Sequence, residues 1–338
     1  MTYRRKFTPR LAPIHILNHT STLSSSISHA HATTPLTKLI LLALVWLPIF
    51  GIVSAIFLLW NSYVTWVDLA LLLTFFTLCG YGITLGYHRM LTHKSFQAHP
   101  WLKTFLLICG SMAMQGPALH WAATHVQHHA NSDEEEDPHS PLKSLWHAHA
   151  GWILDNFKPD IQRYAPALLK DPIIVAINNT WWLWVFTGLL IPTAIGGLTA
   201  GYFGQSVLLG SFGGLVWGGF VRLFLNQHIT WSVNSICHTF GKRSFETTDA
   251  SRNNWLFGLL AMGEGWHNNH HAFPRSARHG MHWTQPDSSA WLIWIFEKLG
   301  LAKDVVLISE SRIKARMASQ PDPEPESIIL PVPAEQRD

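Results

Sequence analysis

The residues best suited to chemistry in this chain are its 21 histidines. Two clusters share one spacing: HVQHH spans residues 125–129 and HNNHH spans residues 267–271, so each has the pattern H-x2-HH. On a helix, positions i, i+3 and i+4 lie on one face, and we therefore expect each cluster to present three imidazoles toward one place. Because a neutral imidazole binds zinc, copper, iron or nickel, the spacing predicts a metal site.

Two further motifs extend this candidate site. His88 and His93 form H-x4-H in YHRMLTH, and Asn234 and His238 form N-x3-H in NSICH. Residues five apart on an α-helix are separated by about 140°, so His88 and His93 converge only where the helix ends or bends. Nine imidazoles and one amide are too many for one ion and suit two. Because no cysteine joins the set, as it commonly does in structural zinc sites, we expect redox-active ions, with iron favoured.

Acidic residues accompany both clusters. Asp137 in DPH and Glu264 in GEGWH are expected to hydrogen-bond the outer nitrogens of ligating histidines. For the acidic run at 133–137, a solvated charged face is an equally good interpretation. Glu136 and Glu264 each precede a histidine by three residues, as in carboxylate-bridged di-iron bundles, but Pro138 interrupts the first match. The HExxH motif of zinc metalloproteases does not occur in the sequence.

The composition indicates that membrane helices position these side chains. Hydrophobic residues make up 48% of the chain and charged residues only 13%, with 17 tryptophans, whereas about 25% of residues are charged in a typical soluble domain. The formal net charge of +3 is too small to argue for a nucleic-acid partner. A membrane protein is therefore expected, with the lipid bilayer as its surroundings.

Two long apolar segments each suit a pair of membrane passes of about 20 residues. The first predicts passes at 39–60 and 66–87, and its only formal charge is Asp68. The second, 172–221, has no formal charge and is expected to turn near Gly196–Gly201. The apolar run 104–123 is expected to be re-entrant or interfacial, since a crossing there would separate the histidine motifs on two sides of the membrane.

Four passes place every histidine motif and both termini on one side. That side holds the Lys and Arg residues near the passes, so the positive-inside rule makes it cytoplasmic. The predicted fold class is all-α and integral to the membrane, with four transmembrane helices in two hairpins. A cytoplasmic helical cap would hold the histidine-rich dimetal site. The expected location is a bacterial inner membrane.

The predicted membrane domain covers residues 37–310. Residues 1–36 are expected to form a disordered N-terminal tail, and residues 311–338, which are rich in Pro and Glu, a disordered C-terminal tail. Within the domain, residues 288–300 are expected to form an amphipathic helix on the membrane surface.

HRMLTH, HVQHH, NSICH and GEGWHNNHHAFP follow one another in this order among the apolar segments. In these motifs the chain resembles the integral-membrane fatty-acyl desaturases over about residues 37–305, above all the Δ9 branch of acyl-CoA and bacterial acyl-lipid desaturases. The resemblance implies an enzyme that uses O2 and two electrons to insert a cis double bond at Δ9 into a saturated fatty-acyl chain. It implies a pair of iron ions (Fe2+/Fe3+), with Asn234 acting through a bound water. The histidine ligands that it implies are His88, His93, His125, His128, His129, His238, His267, His270 and His271.

The resemblance also implies a kinked substrate tunnel, and the positions that match its bend are Gln115, Trp121 and Thr230. Animal acyl-CoA desaturases read WARDHRAHH where this chain reads WAATHVQHH, so that Ala123 and Thr124 replace an Arg and an Asp. A coenzyme A headgroup is therefore not expected to bind in the same way. Acyl-CoA, acyl-lipid and carrier-protein thioester substrates all remain open.

Arg222, Lys242 and Arg243 are candidates for a phosphate contact, although each is equally well a cation at the membrane interface. No fused cytochrome or ferredoxin domain is visible in the sequence, so a separate electron donor is expected, such as ferredoxin or cytochrome b5 with its reductase. Two alternatives stay open. One is a related di-iron membrane hydroxylase acting on alkyl or lipid chains. The other is a metal carrier or sensor, which the scarcity of ionisable residues in the passes disfavours.

Overall fold

The computed structural model describes residues 35–155 and 157–318, and these residues are mostly helical, as predicted. The first hairpin consists of α1, Pro35–Trp60, and α2, Trp66–Thr92. A capping box begins α2, because the Thr65 side chain accepts from the Asp68 amide and the Asp68 carboxylate accepts from the Thr65 amide at 2.8 Å. This cap explains why an apolar segment contains one buried carboxylate.

Two short helices follow the first hairpin. They are α3, Pro100–Met112, and α4, Ala118–Ala130, and each has 13 residues, fewer than the roughly 20 that a membrane pass needs. The turn between them includes Gly116, whose φ of 101° lies in the region that favours glycine. The run 104–123 is therefore not one continuous pass, in agreement with the prediction.

The second hairpin is formed by α6, Trp181–Tyr202, and α7, Val207–His238, and is preceded by α5, Pro172–Asn179. Its turn lies at 203–206, just after the position near Gly196–Gly201 that the sequence predicts. Those glycines lie inside α6, where Gly196 packs against the backbone of Gly210 so closely that a Cβ on either residue would overlap the other's carbonyl oxygen. The small residues bring two helices together and do not form a turn.

Three helices among the described residues are long and apolar enough to cross a membrane, namely α2, α6 and α7, with mean hydropathies of 1.8, 1.6 and 1.6. The first predicted pass corresponds to α1. Its segment Val45–Trp60 is apolar but shorter than these three helices. Large apolar side chains on these helices point outward, as expected of surfaces that face lipid: Trp46, Phe50, Phe57, Leu73, Leu190 and Leu198.

The C-terminal part packs onto the ends of the membrane helices. It contains α8, Trp255–Leu260; α9, His267–Ala272; α10, Ser288–Lys298; and α11, Glu310–Ala318. Strand β1, Gln97–Ala98, pairs antiparallel with β2, Ala302–Lys303. Short helical turns lie at His147–Gly151, Trp152–Leu154, Ile161–Tyr164 and Leu168–Lys170.

Helix α10 is amphipathic, as predicted for residues 288–300. Ile293 is 1% exposed and packs in the main core, whereas Trp291 and Trp294 are 60% and 58% exposed. The same core contains Phe75 of α2 and Leu106 of α3, so it joins the membrane helices to the C-terminal part. This shared core holds the ends of the helices that carry the histidines.

The predicted N-terminal tail lies outside the described residues, except for the two residues with which α1 begins. The predicted C-terminal tail starts within α11, and its residues 319–338 lie outside the described part of the chain. The guanidinium carbon of Arg316 in α11 lies 5.5 Å from the centre of the Phe273 ring.

Candidate metal centre

Nine histidines converge in two groups where α2, α4, α7 and α9 meet. In each group the potential ligand atoms all lie within 4.8 Å of one another, and every side chain is buried or half-buried. The five-histidine group consists of His88, His93, His125, His129 and His270. The four-histidine group consists of His128, His238, His267 and His271.

Each H-x2-HH motif is divided between the two groups. In the first motif, His125 and His129 join the five-histidine group, while His128 joins the four-histidine group. The prediction that each motif presents three imidazoles to one place is therefore wrong. Successive residues of a helix differ by about 100° in direction, so positions i+3 and i+4 serve two neighbouring points. Each motif thus bridges both groups.

Four imidazoles of the five-histidine group form a ring of Nε2 atoms. Its edges are 2.9 Å between His88 and His125, 3.1 Å between His125 and His129, 2.9 Å between His129 and His270, and 3.2 Å between His270 and His88. The fifth nitrogen, Nε2 of His93, lies 3.1 Å from that of His125. An ion about 2.1 Å from each nitrogen has adjacent ligands roughly 3.0 Å apart at 90°, and roughly 3.4 Å apart in a tetrahedron. The observed separations of 2.9–3.2 Å are those of neighbouring ligands on one ion.

The four-histidine group has the same spacing. Nε2 of His267 lies 3.0 Å from that of His238 and 3.1 Å from that of His271. Nε2 of His128 is buried and has no hydrogen-bond partner in the described part of the chain. Buried nitrogens that face one another without donors are costly unless a cation lies between them. This group also fits a metal ion.

Carboxylates contact the Nδ1 atoms of several of these imidazoles, on the side away from the Nε2 atoms that face the metal position. Asp137 accepts a hydrogen bond from Nδ1 of His128 at 2.9 Å, and a Glu264 oxygen lies 2.7 Å from Nδ1 of His88. These are the two carboxylates that the sequence points to. An N–H at Nδ1 leaves Nε2 as an unprotonated acceptor, which is the form that binds a metal.

Two more carboxylates act in the same way without having been predicted. Asp133 accepts from Nδ1 of His238 at 3.0 Å, and Asp249 accepts from Nδ1 of His271 at 2.8 Å. The acidic run is therefore divided: Asp133 and Asp137 contact histidines, whereas the three glutamates between them are exposed. Asp249 belongs to no motif, so only the tertiary structure reveals it.

A π-helical end of α2 brings His88 and His93 together. Residues Gly82–Thr92 are wound in this wider form, and the amide of His93 donates to the carbonyl of His88 at 3.1 Å. In an i to i+5 pattern, residues five apart lie nearly above one another. The sequence predicts that the helix must end or bend here, and a wider winding satisfies the same need.

Burial keeps most of these imidazoles neutral. Burial, together with the neighbouring imidazoles, lowers the pKa of His129 and of His271 well below its ordinary value. Burial also opposes protonation of His128, but the charge and hydrogen bond of Asp137 outweigh it and raise the His128 pKa. A neutral ring is the form that coordinates a metal, so the surroundings favour coordination over protonation.

A mostly apolar cavity leads to the histidines. Its lining includes the three predicted tunnel residues, and the Gln115 side-chain amide donates to the Thr230 hydroxyl at 3.0 Å. The Trp121 ring stacks on the His125 ring, with centroids 5.1 Å apart. Half-buried Asn234 also lines this cavity, beside His267. The structure therefore places the predicted tunnel residues and the predicted water-mediated ligand around one space.

The cations proposed for phosphate contacts differ in position. Lys242 and Arg243 are exposed. Arg222 is fully buried and donates to the carbonyls of Met112 and Gly188, so the prediction that it contacts a phosphate or lies at the membrane interface is wrong. Its guanidinium satisfies helix carbonyls in an apolar interior.

Sequence reasoning also missed Arg89. It lies between the two histidines of HRMLTH, is fully buried, and contacts Glu264 and Asp287. A single cation between two predicted ligands, just after a nearly uncharged segment, was the available signal.

Long apolar helices together with two buried histidine groups define a histidine-rich membrane protein that could hold two metal ions. Comparison with known proteins identifies its family. The fatty acid desaturase family matches residues 65–294. The chain belongs to this family and is an oxidoreductase.

Three relatives illustrate the family. The chain is 40% identical over 282 residues to hex-5-enoyl-(acyl-carrier protein) acetylenase of Moorena producens, with 80% of this chain and 86% of that protein covered. It is 38% identical over 264 residues to sn-1 stearoyl-lipid 9-desaturase of Anabaena variabilis, with 77% and 92% covered. It is 40% identical over 254 residues to acyl-CoA 5-desaturase of Anemone leveillei, with 73% and 74% covered. Their names differ in both acyl carrier and position.

Proposed function

We propose that this desaturase uses O2 and two electrons to insert a cis double bond at Δ9 into a saturated fatty-acyl chain. The observation that carries the proposal is the pair of imidazole groups at the end of a mostly apolar cavity. When bound there, two iron ions would supply the oxidant that removes two hydrogens from an unactivated chain. The proposed ligands are the nine histidines of the two groups, with Asn234 acting through a water.

The residues of the cavity would position the chain and exclude water. Phe76 and Gly80 line it on α2, twelve and eight residues before His88, so they lie up to about 18 and 12 Å deeper along the helix at about 1.5 Å per residue. Trp121 and Thr230 line it near the histidines. A mid-chain methylene would thus lie beside the metal groups while the methyl end extends toward Phe76. The hydrogen bond between Gln115 and Thr230 would fix the bend that favours a cis product.

The acyl carrier and the electron donor belong to the same proposal. Ala123 and Thr124 are buried and offer no charge for a coenzyme A headgroup, so we infer an acyl-lipid substrate, with acyl-CoA as the alternative. Electrons would come from a separate protein such as ferredoxin or cytochrome b5 with its reductase.

We also propose that α1 is the fourth membrane pass. It packs against α7, where Ala55 and Leu58 share a core cluster with Val216 and Val221, and its described side chains are mostly exposed and apolar. With four passes, residues 37–310 form the membrane domain, and the histidine groups lie with both termini on the side richer in Lys and Arg. The positive-inside rule makes that side the cytoplasm of a bacterial cell.

The decisive experiment is mass spectrometry of the fatty acids of cells that express the chain with a ferredoxin and its reductase. New cis-Δ9 monounsaturated chains are the expected result, and lipid classes separated before hydrolysis would identify the carrier. Hydroxylated chains would replace the proposal with the related hydroxylase. Triple bonds would point to the chemistry named for the Moorena relative.

Substitution of Gly80 by valine should change chain-length preference. A Cβ at Gly80 would lie 2.7 Å from the flexible Cε of Met262 and 3.5 Å from Oδ1 of Asn226, so added methyls narrow the deep part of the cavity. We expect desaturation of stearoyl chains to fall about 10-fold relative to palmitoyl chains. Ala70→Val, on an exposed position of the same helix, is the matched control. An unchanged product ratio in Gly80→Val would contradict the proposed path of the chain.

A further inference from the structure

A buried charge cluster links the five-histidine group to the start of α10. Arg89, which is fully buried, uses its three guanidinium nitrogens on two carboxylates. Nη1 and Nη2 each contact one oxygen of Asp287 at 3.1 Å, and Nε donates to Glu264 at 3.1 Å. Of these two terminal nitrogens, Nη1 makes hydrogen bonds, to Asp287 and, at 2.8 Å, to the carbonyl of Ala277, whereas Nη2 lies at ion-pair distance from the other Asp287 oxygen.

Glu264 has one oxygen for Arg89 and the other for two histidines. Its Oε1 accepts from Arg89 and from the Thr84 hydroxyl, while its Oε2 lies 2.7 Å from Nδ1 of His88 and 3.3 Å from Nδ1 of His279. If both terminal nitrogens of Arg89 bound Glu264, the Oε2 atom of Glu264 would be drawn away from His88. Asp287 and the Ala277 carbonyl engage those nitrogens and so leave Glu264 free to hold the imidazole.

Asp287 is itself fixed from several directions. It accepts from the amides of His279 and Gly280, at 2.7 and 3.2 Å, and it caps α10 by accepting from the amide of Ala290 at 3.0 Å. A carboxylate with this many donors keeps its charge and position in a buried place. The position of Arg89 is therefore set by a residue that touches none of the nine histidines.

We propose that Asp287 and Arg89 are positioning residues for the five-histidine group. Asp287 engages the guanidinium of Arg89, Arg89 holds one oxygen of Glu264, and the other oxygen orients His88 toward the metal position. This inference rests on the proposed metal centre. It predicts that a change at Asp287, outside every histidine motif, weakens metal binding in one group of the two.

The substitution Asp287→Asn tests this link without removing the helix cap. Asparagine caps helices as well as aspartate, so its amide oxygen can still cap α10, while the charge that engages Arg89 is lost together with the second oxygen, which accepts from the amides of His279 and Gly280. The buried pair of Arg89 and Glu264 that remains is neutral overall, which limits the cost to folding. Loss of an outer partner of a ligand typically weakens metal binding 10–100-fold, and we expect a loss of about this size for one of two ions.

Metal-free full-length protein in detergent would be titrated with Co2+, whose visible absorption reports nitrogen ligation. The matched control is Asp171→Asn, since Asp171 also caps a helix, α5, and also pairs with a cation, Lys103, at 2.6 Å. We expect two Co2+ per wild-type chain and per Asp171→Asn chain, and one weakened site in Asp287→Asn. Equal affinities in all three proteins would refute the link, whereas a wild-type chain that binds no Co2+ would refute the proposed metal centre itself.

A double variant separates positioning from general stability. If Asp287 acts through Glu264, then Asp287→Asn should weaken Co2+ binding no further in a Glu264→Gln background. If the two losses multiply instead, Asp287 affects the site by another route and the proposed link is wrong. This comparison stays informative even if Asp287→Asn lowers the yield of folded protein.

Discussion

Replacing His128 with alanine is expected to abolish desaturation and to reduce bound metal from two ions to one. His128 is 1% exposed, its Nε2 belongs to the four-histidine group, and its Nδ1 is held by Asp137. Removal of a ligand should cost more than removal of its outer partner, so the loss of product should exceed about 100-fold. The buried Asp137 carboxylate would also lose its imidazole donor, which weakens the surrounding structure.

The matched control for this change is His282→Ala. His282 is exposed, and its ring contacts Thr284 and the exposed Trp283 and none of the nine histidines, so its loss should leave both metal content and product unchanged. Metal would be counted per purified chain, and fatty acids would be measured by mass spectrometry in the same cells. A His128→Ala protein with two bound ions and wild-type product would exclude the four-histidine group from the reaction.

Replacing Arg222 with methionine is expected to cause the largest loss of stability. Arg222 donates to two carbonyls that their own helices leave without a partner. Gly188 lies four residues before Pro192, which has no N–H to donate, and Met112 ends α3. Each carbonyl left unpaired in an apolar interior costs about 1–3 kcal/mol, so the two together cost about 2–6 kcal/mol. The desolvation of a buried cation opposes this loss, but the contacts with these two carbonyls and with the carbonyl of Gly218 offset it.

Thermal unfolding in detergent would measure the effect. Arg243→Met, at an exposed arginine, is the control and should unfold like the wild type. The added change Pro192→Ala restores an N–H opposite the Gly188 carbonyl, so it should recover part of the stability lost in Arg222→Met. If Arg222→Met unfolds at the wild-type temperature, these carbonyls do not depend on the guanidinium.

Local patterns in the sequence determined much of this protein. The length of the apolar segments predicts α2, α6 and α7, because a membrane pass needs a run of about 20 residues that has few charges. The nine histidines stand out because ligand spacing on short helices is readable from i, i+3 and i+4 positions. The same local reasoning identified Asp137 and Glu264 as carboxylates beside histidines. The same motifs indicated the resemblance to the desaturase family, which the family match confirms.

Other features depend on packing between segments far apart in sequence, and only the tertiary structure decided them. Helix geometry separates the i+3 position from the i+4 position, but which histidines of α4 and α9 share a group follows from how these two helices face one another. Asp249 contacts His271 and Asp287 contacts Arg89, and no spacing of these residues in the sequence predicts either contact. Glycines of α6 could serve a turn or a helix contact, and only the neighbouring α7 selects the contact. The sequence predicts Arg222 as a cation at the membrane interface. Its true partners are backbone carbonyls, and because every residue has one, no sequence pattern identifies them.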